Sequence, residues 1–295
     1  MHIENLRFFY EVAQAKSIST VAKASHISQS ALSQQLLKLE DNLNIKLFIR
    51  SNKGVSLTKE GKVVYDHCEV ILNTYNKMIE ELESINSNNN LITIDGTDIL
   101  TSTLIPMAIG KIKKSFPKYI LKLISSEFSP NNILNNISDI NISYSKYDES
   151  TSIITKELYK DEFVFVSNSN FSKDSLSLDE FLSTPFVMVD NKINFREQLD
   201  SNLNSLDKNI AILPILLSSN TFQGAMLSLK SYNALTVIPL SIYNIYYKDL
   251  GYKIIEVENL NFPTSMSIHY SEQLYKREKQ FIDKFITILK GFLKN

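Results

Sequence analysis

A chain of 295 residues is too long for one small module and suits two domains, or one domain with a substantial appendage. With 43% hydrophobic and 21% charged residues it can fill a core, which excludes wholesale disorder. A net charge of −1 excludes a uniformly basic chain, 7 glycines leave little room for a glycine-rich phosphate loop, and 1 cysteine excludes an internal disulfide.

The N-terminus carries Glu4 and Arg7 and has no long apolar stretch, which predicts no signal peptide. The apolar run at 211–217 contains Pro214 and falls well short of the roughly 18–20 residues that span a bilayer. A soluble, cytoplasmic chain with no membrane partner is expected, and the lone Cys68 suits a reducing compartment.

Residues 1–58 hold seven basic and four acidic side chains, residues 59–90 three basic and six acidic. A mildly positive head on a near-neutral body is consistent with one end meeting a polyanion. Leu6, Phe9, Tyr10 and Ala13 form the stripe of an amphipathic helix over about 3–15. Ser17-Ile18-Ser19 can cap a short second helix, which Ser25-His26-Ile27 ends. Ser28 can cap a third, with Leu32, Leu36, Leu39 and Leu43 on its buried side. Its other face shows Gln29, Ser30, Ser33, Gln34 and Lys38. Two short helices about a tight turn fit a helix-turn-helix, whose polar face would enter the major groove of duplex DNA. An ordinary solvated face fits the periodicity equally well. Residues 46–50 are strand-like, 51–54 form a turn, and 55–57 return, a small wing with Arg50 and Lys53 near its tip and within reach of backbone phosphates. Thr58 can then cap a long helix.

These residues carry a resemblance. Phe8-Phe9, Ser17-Ile18-Ser19-Thr20-Val21-Ala22, the run Ile27 to Leu36 with its Ser-Gln-Ser-Ala-Leu-Ser core, Leu39-Glu40, Leu47-Phe48, Arg50, Leu57-Thr58 and Gly61 together resemble the winged helix-turn-helix of LysR-type transcriptional regulators. The resemblance implies DNA contacts by Ser28, Gln29, Ser30, Ser33, Gln34, Lys38, Arg50 and Lys53. Lys16 and Asn44 stand where the family usually has glycine, and Gln34 and Leu37 where a basic residue is common.

In the connecting helix Val64, Cys68, Ile71, Tyr75, Met78, Leu82 and Ile85 are spaced 4, 3, 4, 3, 4, 3, an apolar seam of a/d type. Leu72 and Ile79 widen it enough to allow packing on the helix's own domain as well. The seam favours pairing with a second copy, and the resemblance implies a homodimer, or a homotetramer built from it. Residues 84–90 are polar and read as a hinge.

Beyond the hinge, strands and helices alternate. Strands are predicted at 91–95, 119–125, 140–143, 163–167, 186–189, 210–216, 235–238 and 265–270, and helices at 101–115, 130–137, 178–182 and 222–230, with a final helix through Phe281, Phe285, Ile288 and Phe292. Such alternation suggests parallel α/β sheets, and the length allows two lobes. This half resembles, more weakly, the effector domain of the same family, which is similar to periplasmic solute-binding proteins. Thr101 to Pro106, Asp139 to Ile142 and Val237 to Pro239 carry that likeness, and Tyr232-Asn233-Ala234 replaces the expected Gly-x-Gly. The fold class expected is α/β: a winged helix-turn-helix (1–58), a linker helix with hinge (59–90), and a two-lobed effector domain (91–295). Ligands in such a fold sit where strand ends and helix starts converge. By position the effector candidates are Thr97, Thr101, Ser102, Ser145, Asn220 and Thr221, and each could equally be a plain helix cap.

Neither of two rival classes is favoured. An enzyme needs a nucleophile–base pair or a metal cluster, and the four histidines (His2, His26, His67, His269) are scattered with no carboxylate at ligand spacing. A solute-binding transport protein would have no use for the winged head. No catalytic residue, metal or cofactor is expected; the expected partners are double-stranded DNA and a small-molecule effector.

Overall fold

The computed structural model describes residues 2–51, 54–86, 90–126, 130–144, 152–189, 195–206, 208 and 213–294. The chain divides into two compact units, the first spanning 1–87 with 135–137 and the second the remainder.

In the first unit, α1 (Ile3–Ala15), α2 (Ile18–Ala24) and α3 (Gln29–Leu43) precede a hairpin of β1 (Phe48–Ser51) and β2 (Gly54–Leu57), and α4 (Lys59–Asn86) follows. The caps sit where hydroxyls can take free helix N–H groups: Ser17 accepts from Thr20 N, Ser28 from Ala31 N, and Thr58 from Gly61 N. The apolar stripes converge on one core of Leu6, Phe9, Val12, Val21, Leu32, Leu36, Leu39, Leu47 and Phe48. Cys68 and Leu72 of α4 join that core, so the N-terminal half of α4 packs on its own domain. Ile71, Met78, Ile79 and Leu82 stay exposed. The apolar seam is therefore split, with Cys68 committed inward and Ile71, Met78 and Leu82 exposed. Of the remaining seam and hinge residues, the side chain of Ile85 and residues 87–89 lie outside what is described.

Lys16 and Asn44, the two positions where glycine is usual in the family, both adopt the left-handed conformation, with φ 50° and 53°, as C-caps of α1 and α3. That is the conformation glycine accepts at no steric cost and other residues accept at some cost. Gly61 is fixed for another reason: a Cβ there would sit 2.1 Å from Leu47 O.

The second unit is built on a sheet in the order β4-β3-β5-β12-β6-β11-β7, with β10 also pairing β6. Its strands are β3 (Asn90–Gly96), β4 (Tyr119–Ser125), β5 (Ile140–Ser143), β6 (Ile153–Asn168), β7 (Ser175–Leu176), β10 (Thr236–Pro239), β11 (Tyr252–Val257) and β12 (Pro263–Ser271). β8 (Phe186–Val189) and β9 (Ile215–Ser219) pair in parallel beside it. The helices are α5 (Asp98–Ser102), α6 (Leu104–Ser115), α7 (Pro130–Leu134), α8 (Leu178–Ser183), α9 (Phe195–Ser205), α10 (Phe222–Ser228), a short α11 (Leu240–Ile242) running into a π-helical turn at Tyr243–Tyr247, and α12 (Glu272–Leu293).

β3 runs parallel to β4 and β5, as the alternation suggests. The centre departs from that expectation. β12 lies antiparallel between β5 and β6, and β10 and β11 both pair antiparallel with β6. β11 and β12 run in the same direction along successive stretches of β6, joined by only the five residues 258–262. β6 is one continuous strand of 16 residues that serves both lobes. Ile153–Glu162 pairs with β12 in the first lobe, and Phe163–Asn168 pairs with β10 and β11 in the second.

The helix expected over 101–115 is two helices. Thr103 breaks it (φ −128°, ψ −85°). Pro106 explains the break, because in a continuous helix its ring would meet the carbonyl of Ser102. Restarting at Leu104 puts the proline in a first turn, where no N–H is needed. The strand expected over 210–216 is found at Ile215–Ser219; residues 210–212 lie outside the described part. The backbone at Tyr232-Asn233-Ala234 has no positive φ, so this loop does not need the glycines it lacks, and Tyr232 is exposed.

Candidate DNA interface and effector cleft

The head presents α3 with its apolar side inward and its polar side free. Ser28, Gln29, Ser30, Gln34 and Lys38 are exposed, and Ser33 is half-buried. Ser28 doubles as the N-cap, its hydroxyl also 3.0 Å from that of Ser30. Arg50 is exposed on the wing; Lys53, assigned to the wing tip, lies outside the described residues.

Sequence reading named Glu40 only as part of a motif. Its role is to fasten the reading helix to the wing. Its carboxylate is 3% exposed and sits at the end of α3. Oε1 accepts from the backbone N–H of Leu47 (2.8 Å) and Phe48 (3.2 Å), and Oε2 from Lys46 Nζ (3.1 Å). Burial pushes its pKa up, but the bonds from Leu47, Lys46 and Phe48 outweigh this and hold it below the usual carboxylate range. Val55 N donates to Lys16 O, so the wing is tied at its second strand as well. The free thiol of Cys68 is pushed up to about 11 by burial, which suits packing and not thiolate chemistry.

In the second unit α5 and α10 meet across the lobes. Phe222 N, at the start of α10, donates to Asp98 Oδ2 at 2.7 Å. The effector candidates bracket this contact. Thr97 is the N-cap residue of α5, yet its hydroxyl makes no capping bond and is buried without a hydrogen-bond partner. Thr101 and Ser102 turn their hydroxyls back onto carbonyls of their own turn, Ser102 onto Asp98 O at 2.7 Å. Thr221 caps α10 by accepting from Gly224 N. Asn220 lines a pocket of about 410 Å³ with Leu217, Ser218, Ser219 and Gly224. Ser145 lies outside the described residues. The structure thus brings Thr97, Thr101, Ser102 and Thr221 to one interlobe contact, three of them already engaged locally.

Sequence reasoning missed Asp98, whose available signal was an acidic residue in a first helical turn. It also missed a second polar clasp at the strand that serves both lobes. Asp161 on β6 accepts from Ser241 N (3.1 Å), Ser241 Oγ (2.5 Å) and Tyr144 OH (3.3 Å). Burial, then the charge of Asp161, pushes the Tyr144 hydroxyl well up. A polar row also crosses the first-lobe sheet. Asp95, Asn141 and His269 stand at neighbouring register positions, all fully buried. His269 is held by Thr155 Oγ1 (3.0 Å) and Ser143 Oγ (3.3 Å), and burial lowers its pKa to about 4.

A winged helix-turn-helix with an exposed polar third helix, followed by a long helix and a two-lobed α/β unit, is the architecture of a DNA-binding regulator. Residues 3–62 match the model of the bacterial regulatory helix-turn-helix protein, lysR family. Along almost its whole length the chain is similar to the HTH-type transcriptional regulator SoxR of an Arthrobacter species, 25% identical over 99% of this chain and 97% of that one. It is similar also to a probable RuBisCO transcriptional regulator of Phaeodactylum tricornutum, 22% identical over 99% and 98%. Among solved structures, CbnR, a LysR family transcriptional regulator, superposes with a TM-score of 0.72 at 13% identity, covering 100% of both chains. CbnR complexed with its target DNA superposes at 0.69 with 14% identity, covering 99% of this chain and 100% of that one. Residues 3–62 thus form a helix-turn-helix of the lysR family, and over its whole length the chain is similar to LysR-type transcriptional regulators. Among the described residues no helix is long and apolar enough to cross a membrane.

Proposed function

We propose that this LysR-type regulator reads duplex DNA with the exposed face of α3 and the wing, and that a small molecule taken between the lobes of its second unit alters that binding. Within α3, Gln29, Ser30, Ser33 and Gln34 address base edges, while Ser28, Lys38, Arg50 and Lys53 address phosphates. The observation that carries the reading is the side-chain division of α3, where Leu32, Leu36 and Leu39 fill the core while Gln29, Ser30, Gln34 and Lys38 are exposed. The effector reading rests on the buried, unpartnered hydroxyl of Thr97 beside the Asp98–Phe222 contact, with Thr101, Ser102 and Thr221 as the neighbouring polar groups. The exposed half of the α4 seam is the homodimer contact. The molecule works in the cytoplasm, where its DNA is, and it performs no catalysis; its relatives are regulators.

The test is duplex binding by the full chain across a salt series. Arg50→Ala should weaken binding to all sequences and reduce the salt slope by roughly one counterion, while Gln29→Ala should change which base pairs are tolerated in a selected pool. Unaltered affinity and sequence preference in both variants would remove α3 and the wing as the reading surface.

A further inference from the structure

Taking the interlobe cleft as the effector site proposed above, we infer that Asp98 is an internal clasp that holds the ligand-free cleft shut, and that a ligand must release it to enter. The two partners come from different lobes. Asp98 opens α5, directly after β3 of the first lobe, and Phe222 opens α10, between β9 and β10 of the second. The bond is short, 2.7 Å, and it joins an acidic side chain to a backbone N–H at a helix start, a group with no partner inside its own helix. α10 makes no other use of that N–H, because its cap Thr221 serves Gly224 N instead.

The lobes are joined differently at β6. There β6 passes covalently from one lobe to the other, and Asp161 holds Ser241 and Tyr144 against it. A continuous strand with a local polar clasp is a pivot, since it keeps its length while the lobes turn about it. The Asp98–Phe222 bond, in contrast, bridges elements 124 residues apart in sequence. A bond that joins the first turns of helices from the two lobes must break if those helix starts separate. The surrounding hydroxyls agree with a closed state: Thr101 and Ser102 bond carbonyls of their own turn, and Thr97 Oγ1 is buried with no partner. Opening would free Thr97 Oγ1 for a ligand. Such an element is two-state, and ligand binding to the open state shifts it by mass action.

Spin labels at Ser102→Cys and Leu227→Cys, both exposed and one in each lobe, report the aperture in the full chain; Cys68 is buried and is replaced by alanine. Losing one charge-assisted bond should raise the open-to-closed ratio roughly tenfold to a hundredfold. Asp98→Ala should therefore lengthen and broaden the label distance without ligand, and speed exchange of the Phe222 amide. Asp98→Asn, whose amide oxygen can still accept from that N–H, should fall between alanine and the parent. An Asp98→Ala distance distribution superposable on the parent's overturns the clasp, as does an asparagine variant as open as the alanine one. A clasp that releases in a chain whose DNA binding responds to no metabolite upholds the clasp and removes the sensing function.

Discussion

Glu40 offers a direct test of how the head is held together. Glu40→Ala deletes the acceptor shared by two backbone N–H groups, those of Leu47 and Phe48, whose residues are 1% and 7% exposed. Each unmet buried donor costs about 1–3 kcal/mol, so the variant should lose about 2–6 kcal/mol from the head. The ion pair with Lys46 adds little, because the lysine side chain is 68% exposed. Glu40→Gln keeps one acceptor oxygen but sets its amide against the Lys46 ammonium, so a loss of about 1–2 kcal/mol is expected. The pH dependence follows from the lowered folded pKa. The contribution of Glu40 is complete above the unfolded carboxylate range, near 4.3, and disappears as pH falls through the folded value. Hydrogen exchange across 44–57 is the suitable assay, because a two-unit chain does not give one clean unfolding transition. Glu40→Ala should exchange there at least about thirtyfold faster, with rates in the second unit unchanged and DNA affinity lost. Parent-like protection of 44–57 in the alanine variant would refute the argument, since it would mean that those N–H groups do not depend on the carboxylate.

Three further outcomes are expected. Lys16→Gly should stabilise the head by about 0.5–1 kcal/mol by relieving a left-handed lysine, and Asn44→Gly by less because asparagine tolerates that conformation; exchange rates of α1 and α3 check both. His269, with a folded pKa near 4, gives the second unit stability that is complete above about pH 6.5 and declines as pH falls from there toward 4, by roughly 2–3 kcal/mol; in His269→Gln the melting temperature of that unit should vary less with pH over this window. Ile71→Asp, at a position 43% exposed in the single chain, should leave the head folded yet sediment as a monomer at micromolar concentration, and an intact dimer would move the contact elsewhere.

Local chemistry in the sequence determined most of the head. A hydroxyl before an apolar stripe can serve as a helix cap, and Ser17, Ser28 and Thr58 all act as one. Apolar spacing determined which face of α1 and α3 is buried, and the exposed polar face of α3 followed from it. The parallel strands β3, β4 and β5 were legible because each is an apolar run separated from the next by a helix. The first half of β6 was not, because Lys156, Glu157, Lys160 and Asp161 interrupt its apolar pattern, and β11 was missed although Tyr252, Ile254 and Ile255 mark it. Periodicity states which side of an element is buried but not what buries it. Tertiary structure therefore decided that Cys68 turns into the head while Ile71 stays outside, that Glu40 meets the N–H groups of the wing, and that β6 runs through both lobes. It alone placed His269 beside Asn141 and Asp98 against Phe222, because strand register and chain crossover, which no local pattern encodes, bring together groups more than a hundred residues apart.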